Sequence, residues 1–167
     1  VWQRDALELY QRTQPRDFLT VATPGAGKTT FALTIAADLM SRGIVERVVI
    51  VTPTDHLKTQ WALAAAGIGI MIDPSLTGQG RLGADFDGFA VTYAGLAVNA
   101  NSFRTRIDNK PTMVILDEVH HAADALSWGE AVQEACEPAV RRLSLTGTPF
   151  RSDDNPIPFV SYAPADD

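Results

Sequence analysis

Apolar residues along the chain recur in short β-rich runs: Phe18 to Ala22, Arg47 to Thr52, Phe89 to Thr92, Met113 to Leu116 and Arg142 to Thr146. Turn signals and helical patterns separate them, and that alternation predicts βαβ units around a parallel sheet. Val48-Val49-Ile50-Val51 and Met113-Val114-Ile115-Leu116 are apolar at every position rather than at every second one. Strands covered by helices on both faces have that character. Between the strands, Thr30 to Met40 carries Phe31, Leu33, Ile35, Ala36 and Leu39 at mixed three- and four-residue spacings, which predicts a helix stopped at Gly43. Asp5 to Gln11 and Ser127 to Cys136 predict further helices, whereas Met71 to Gly88, rich in Gly, Asp and Pro, predicts a loop. The expected fold is α/β, with a central parallel sheet flanked by helices on both faces.

Composition narrows the class without naming a chemistry. The chain has 167 residues, 46% hydrophobic and 20% charged, enough for one domain with a real core. No apolar run approaches the length of a membrane span, and the lone Cys136 forms no internal disulfide, so a soluble, cytoplasmic protein with no membrane partner is expected. A net charge of −6 argues against a surface that grips nucleic acid along its whole face, and is compatible with a local strand contact. The chain opens inside a helical pattern at Val1 and closes on a tail carrying Pro156, Pro158 and Pro164. The organisation expected is one domain over residues 1–151 and the start of a linker over 152–167, cut from a longer protein.

The first candidate for chemistry is Ala22-Thr23-Pro24-Gly25-Ala26-Gly27-Lys28-Thr29, which lies between a predicted strand and a predicted helix. Gly25 and Gly27 permit backbone angles closed to other residues, so successive N–H groups can turn inward around phosphate oxygens at the positive end of the helix. Lys28 is placed to reach the β- and γ-phosphates of a nucleotide, and the Thr29 hydroxyl to bind Mg²⁺. The first position is Ala22 where the common phosphate-loop pattern has Gly. Asp117-Glu118-Val119-His120 follows another apolar strand, setting two carboxylates at a strand's carboxyl end, where open α/β sheets bind ligands. Asp117 suits a Mg²⁺ held through its water shell, and Glu118 suits orienting and deprotonating a water. Phosphoryl transfer needs both roles.

Taken together these segments resemble the first RecA-like, ATP-binding domain of superfamily 2 DEAD/DEAH-box helicases. Ala22 to Thr29 is similar to their motif I, Asp-Glu-Val-His at 117 to 120 to their DEAH-type motif II, and Thr146-Gly147-Thr148-Pro149 to motif III. Val51-Thr52-Pro53-Thr54 with Leu57 and Gln60 resembles motif Ia, Val91-Thr92-Tyr93 the motif Ib region, and Trp2-Gln3 the adenine-reading Gln motif. The doubled His120-His121 and the string Leu145 to Arg151 look most like the branch holding excision-repair helicases and type III restriction enzyme ATPases.

The resemblance implies a motor lobe of an ATP-dependent DNA helicase or translocase, with ATP and Mg²⁺ as cofactors and nucleic acid, DNA more than RNA, as partner. It also implies a second RecA-like lobe elsewhere in the parent chain, without which turnover is expected to be weak. Carried over by position, Gln3 reads adenine; Pro24, Gly25, Ala26, Gly27, Lys28, Thr29 and Thr30 hold the phosphates; Thr29 and Asp117 hold the metal. Thr52, Pro53 and Thr92 touch the nucleic-acid backbone, His120 links the γ-phosphate site to motif III, and Thr146 and Thr148 relay that state. Thr52 and Thr92 also read as ordinary β-branched strand residues, and His121 as structural. Trp61 reads as a helix-face core residue or as a base-stacking one, and Trp128 as packing. A restriction or remodelling translocase that leaves strands paired, and a nucleotide-gated binding module, are the alternative functions.

Overall fold

A computed structural model describes residues 2–21, 27–147 and 158–159. The elements run α1 (Trp2–Thr13), β1 (Asp17–Val21), α2 (Lys28–Ser41), β2 (Arg47–Thr52), α3 (Asp55–Ala66), β3 (Ile72–Asp73), β4 (Gly88–Thr92), α4 (Tyr93–Val98), α5 (Ala100–Asp108), β5 (Thr112–Leu116), α6 (Leu126–Cys136) and β6 (Arg141–Thr146). A 3₁₀ turn, Val119–Ala123, follows β5. The strands form one sheet in the order β1-β6-β5-β2-β4-β3, and every pairing is parallel.

The unbroken apolar runs have the cause expected of them. Along β2, Val48 and Ile50 join one core with Phe31, Leu39 and Trp61 of α2 and α3, while Val49 and Val51 join another with Leu96, Phe103 and Val132 of α4, α5 and α6. All six β2 residues are buried. Helices α1 to α3 thus cover one face and α4 to α6 the other, each fully buried Val or Ile contributing roughly 1.5–3 kcal/mol of transfer free energy. No described helix is long and apolar enough to cross a membrane.

Two features set the sheet's geometry. Gly88 opens β4 directly against β2, where a β-carbon would sit 1.6 Å from the Val48 carbonyl oxygen, so only glycine lets the strands approach. On the other side of the sheet, the Arg142 guanidinium of β6 grips both carboxylate oxygens of Asp17 on β1, at 2.5 and 2.9 Å, and stacks over the Phe159 ring. The segment expected to be loop throughout, Met71 to Gly88, contains β3, a two-residue edge strand paired with the start of β4. It escapes a pattern reading because two residues carry no periodicity.

Candidate nucleotide and metal site

The carboxyl ends of β5, β2 and β6 lie side by side, and the candidate residues gather there. Lys28 is the first residue of α2, preceded by Gly27 in the left-handed region at φ 83°. A β-carbon at Gly27 would meet the Gln3 carboxamide nitrogen at 2.6 Å, so the residue that precedes α2 lies directly against α1. Residues 22–26, with Pro24, Gly25 and Ala26, lie outside the described residues, as do Thr148 and the tail from 148 to 157.

Lys28 is 8% exposed, and its ammonium Nζ sits 3.1 Å from Glu118 Oε1. Glu118 takes the left-handed conformation, φ 46° and ψ 56°, which is rare for a residue with a side chain and costs on the order of 1 kcal/mol or more. That turn re-aims the chain after β5, so that Asp117 and Glu118 project differently although they are adjacent. Glu118 Oε2 lies 3.6 Å from His120 Nδ1, and the same ring nitrogen lies 3.1 Å from the Thr146 hydroxyl at the end of β6. Lys28, Glu118, His120 and Thr146 thus form a chain of side-chain contacts across the ends of α2, β5 and β6. His121 points elsewhere, to Asp124 at 2.8 Å.

Asp117 faces the other way. Its backbone N–H donates to Val51 O at 2.8 Å, extending the β5–β2 ladder by one residue. From one side of the sheet the Trp61 indole N–H donates to its Oδ2 at 2.9 Å; from the other the Tyr93 hydroxyl donates to its carbonyl oxygen at 2.8 Å. Burial raises the Asp117 pKa above the ordinary carboxylate value, and the Trp61 hydrogen bond opposes that rise. Burial likewise holds the Tyr93 hydroxyl well above its usual range, so it stays a neutral donor. Both partners were missed as site residues. The available signal was an indole N–H and a phenol that a buried position must satisfy. Trp61, 3% exposed, is the core residue and not a base-stacking one. Trp128 packs at the edge of the core beneath α4 to α6.

Beside Gly27, a pocket of about 440 Å³ is lined by Gln3, Arg4, Leu7, Thr30, Phe31 and Thr34. It is a mainly apolar slot with the Gln3 carboxamide in its lining, of the kind that takes a heteroaromatic ring. The residues therefore fit a magnesium nucleotide: a ring slot, a glycine hinge a β-carbon would fill, a buried ammonium, the half-buried Thr29 and a fixed carboxylate. Among the described residues no cluster of three or more His, Cys, Asp or Glu side chains forms.

The residues expected to touch nucleic acid divide. Thr52 is fully buried, and its hydroxyl donates to the Thr54 carbonyl at 3.0 Å, so its side chain is turned into the protein. Pro53 is half-buried and Thr54, the cap of α3, is exposed. Thr92 caps α4 by accepting from the Gly95 N–H, and it lines a pocket with Asp55, Lys58 and Asn99.

The family model of the type III restriction enzyme, res subunit, matches residues 2–151. The chain belongs to that family. Its fold is that of the first RecA-like domain of superfamily 2 helicases, and it is a helicase- and restriction-enzyme-ATPase-like domain. An uncharacterised protein of Mycobacterium tuberculosis is 54% identical over 98% of this chain, and one of Mycobacterium leprae 51% identical over 97%. The chain spans 27% of the length of each. Among solved structures, the Pyrococcus furiosus Hef helicase domain matches 91% of this chain and 33% of its own (TM-score 0.70, 20% identity). The Sulfolobus solfataricus SWI2/SNF2 ATPase core in complex with dsDNA matches 89% and 31% (TM-score 0.69, 19% identity). The type ISP restriction-modification enzyme LlaGI, in complex with a DNA substrate mimic, matches 89% and 17% (TM-score 0.63, 18% identity).

Proposed function

We propose that this domain binds and hydrolyses ATP with Mg²⁺ as one lobe of a DNA helicase or translocase, acting with a second RecA-like lobe of the same protein. The observation that carries the reading is the ion pair of Lys28 with Glu118 beside a separately anchored Asp117. Bound ATP and Mg²⁺ would supply the scissile phosphoanhydride and the cation that neutralises its oxygens. The protein's own part is positional. Gln3 and the slot beside it orient a base, Lys28 presents a fixed ammonium, Asp117 and Thr29 hold the metal, and Glu118 orients a water and accepts its proton. His120 and Thr146 would register a change at Glu118 on the neighbouring strand. Pro53, Thr92 and the backbone around Thr52 are the candidates for touching a phosphodiester backbone.

The two similar proteins described with DNA support DNA as the track, and the one described with dsDNA supports a duplex. The restriction-enzyme family favours translocation without strand separation as the second reading. Titration with a fluorescent nucleotide tests the site. Lys28→Ala is expected to weaken binding about a hundred-fold or more, since it removes a charge-assisted contact to two phosphates. Unchanged affinity would remove the phosphate-loop assignment. ATPase assays on the full-length protein with and without duplex DNA test the motor. A rate indifferent to DNA would leave a nucleotide-gated binding module instead.

A further inference from the structure

We infer that Trp61 is a positioning residue for the metal-holding carboxylate, and that through it helix α3 links a DNA contact at the end of β2 to the strength of Mg²⁺-nucleotide binding. The inference rests on the nucleotide reading above. An indole has one donor and a flat, rigid body, so a buried tryptophan whose N–H meets a carboxylate oxygen fixes where that oxygen lies. Trp61 is 3% exposed in the core beneath α1, α2 and α3, and its N–H holds Asp117 Oδ2 at 2.9 Å. With Oδ2 held, the carboxylate plane is set. The Tyr93 hydroxyl holds the Asp117 carbonyl from the opposite face, and Val51 O holds its N–H, so the main chain stays in place when the indole contact alone is removed.

The same helix begins just beyond β2, where the chain becomes exposed at Thr54. The Thr52 hydroxyl donates to Thr54 O, and Thr54 Oγ1 accepts from the Leu57 N–H to cap α3. Trp61 follows that cap by seven residues, about 10 Å along the axis at 1.5 Å per residue. A helix this short moves as one body. A displacement of its start by about 1 Å is felt at a 2.9 Å hydrogen bond, whose strength falls steeply with distance and angle. A phosphodiester backbone seated on Pro53 and Thr54 therefore pushes on a lever whose far arm ends at the metal site. Linkage requires reciprocity: whatever factor DNA changes in Mg²⁺-nucleotide affinity, Mg²⁺-nucleotide changes in DNA affinity.

The test is binding of fluorescent ADP to the full-length protein, measured in EDTA and in Mg²⁺, with and without duplex DNA, for the unmodified protein and Trp61→Phe. Phenylalanine keeps most of the ring and loses the N–H. Affinity in EDTA is expected to stay within two-fold of the unmodified protein, while the enhancement by Mg²⁺ falls about ten-fold, the size of one hydrogen bond to a charged group. The effect of DNA on Mg²⁺-ADP affinity is expected to disappear in the variant. If the smaller ring leaves the protein unstable, an isosteric benzothienylalanine at position 61, with sulfur in place of the N–H, repeats the measurement with the packing intact. An equal fall in EDTA and Mg²⁺ means a packing role and overturns the inference. So does an unchanged Mg²⁺ enhancement, and a DNA effect of equal size in both proteins overturns the α3 route. If the unmodified protein binds no nucleotide under any condition, the nucleotide reading fails and this inference falls with it.

Discussion

Asp117 and Glu118 share a peptide bond but are held by different halves of the molecule. Asp117 is fixed by Val51 of β2, Trp61 of α3 and Tyr93 of α4, three contacts with uncharged buried groups reaching it from the neighbouring strand and both faces of the sheet. Glu118, turned by its left-handed backbone, meets the Lys28 ammonium and the His120 ring, which in turn meets Thr146. Hydrogen bonds from uncharged groups that are themselves locked in a packed core give their partner one position. Charged contacts among half-buried groups respond to any new charge placed between them. The site thus separates a carboxylate that must not move from one whose partners can be exchanged, and the hinge between them is one strained residue.

The sharpest way to test that division is to neutralise Glu118. Glu118→Gln is expected to keep nucleotide affinity, because Asp117 and Thr29 are untouched, while hydrolysis by the full-length protein falls by about 10² to 10⁴, typical of a lost general base. Near-normal turnover in a rapid-quench assay would move the base elsewhere. Next is the relay. Thr146→Ala combined with Thr148→Ala is expected to leave basal hydrolysis within a few-fold of normal, while translocation along duplex DNA drops about ten-fold or more. A parallel fall of ATPase, translocation and melting temperature would instead make both threonines structural. A third variant shifts attention to the β1–β6 pair on the Glu118 side. Arg142→Leu leaves Asp17 without its guanidinium and is expected to cost about 2–3 kcal/mol in urea unfolding, below the figure for a fully buried pair because Asp17 is partly exposed. The response of binding to Mg²⁺, governed from the β2 side, should persist in the folded fraction. The smallest effect concerns Cys136. Burial pushes its thiol up to about 12, so at pH 8 only a fraction on the order of 10⁻⁴ is thiolate. A maleimide or disulfide reagent should leave it unmodified until denaturant is added, and rapid labelling of the folded protein would contradict the packing described for α6.

The parallel sheet, the helix after the phosphate loop and the two carboxylates were legible because each is a local pattern: an apolar run, a 3.6-residue stripe, a charged pair after a strand. Helix α3 was anticipated only through Trp61, since exposed Leu63 and the surrounding alanines blur the stripe made by Leu57, Trp61 and Ala65. The short α4 and α5, joined at Asn99, give too few turns for a period to show. What no local pattern carries is strand order. Trp61 and Asp117 are 56 residues apart, and they meet only because β5 lies beside β2. Tyr93 reaches Asp117 in the same way, because β4 lies on the other side of β2.

Gly88 has a consequence for how variants of this domain would read in a living cell. Its backbone lies so near Val48 that a single added methyl cannot be absorbed by rotating a side chain; the β2 and β4 strands must part. The position is four residues from Thr92, roughly 13 Å along the strand, and touches none of the chemistry. A Gly88→Ala allele would nonetheless score as a complete loss of function in a genetic screen, indistinguishable by phenotype from one at Asp117. The difference would lie in abundance: the Gly88 product should be scarce, cleared by quality control and partly restored at low growth temperature, whereas an Asp117 product should accumulate normally and fail molecule by molecule.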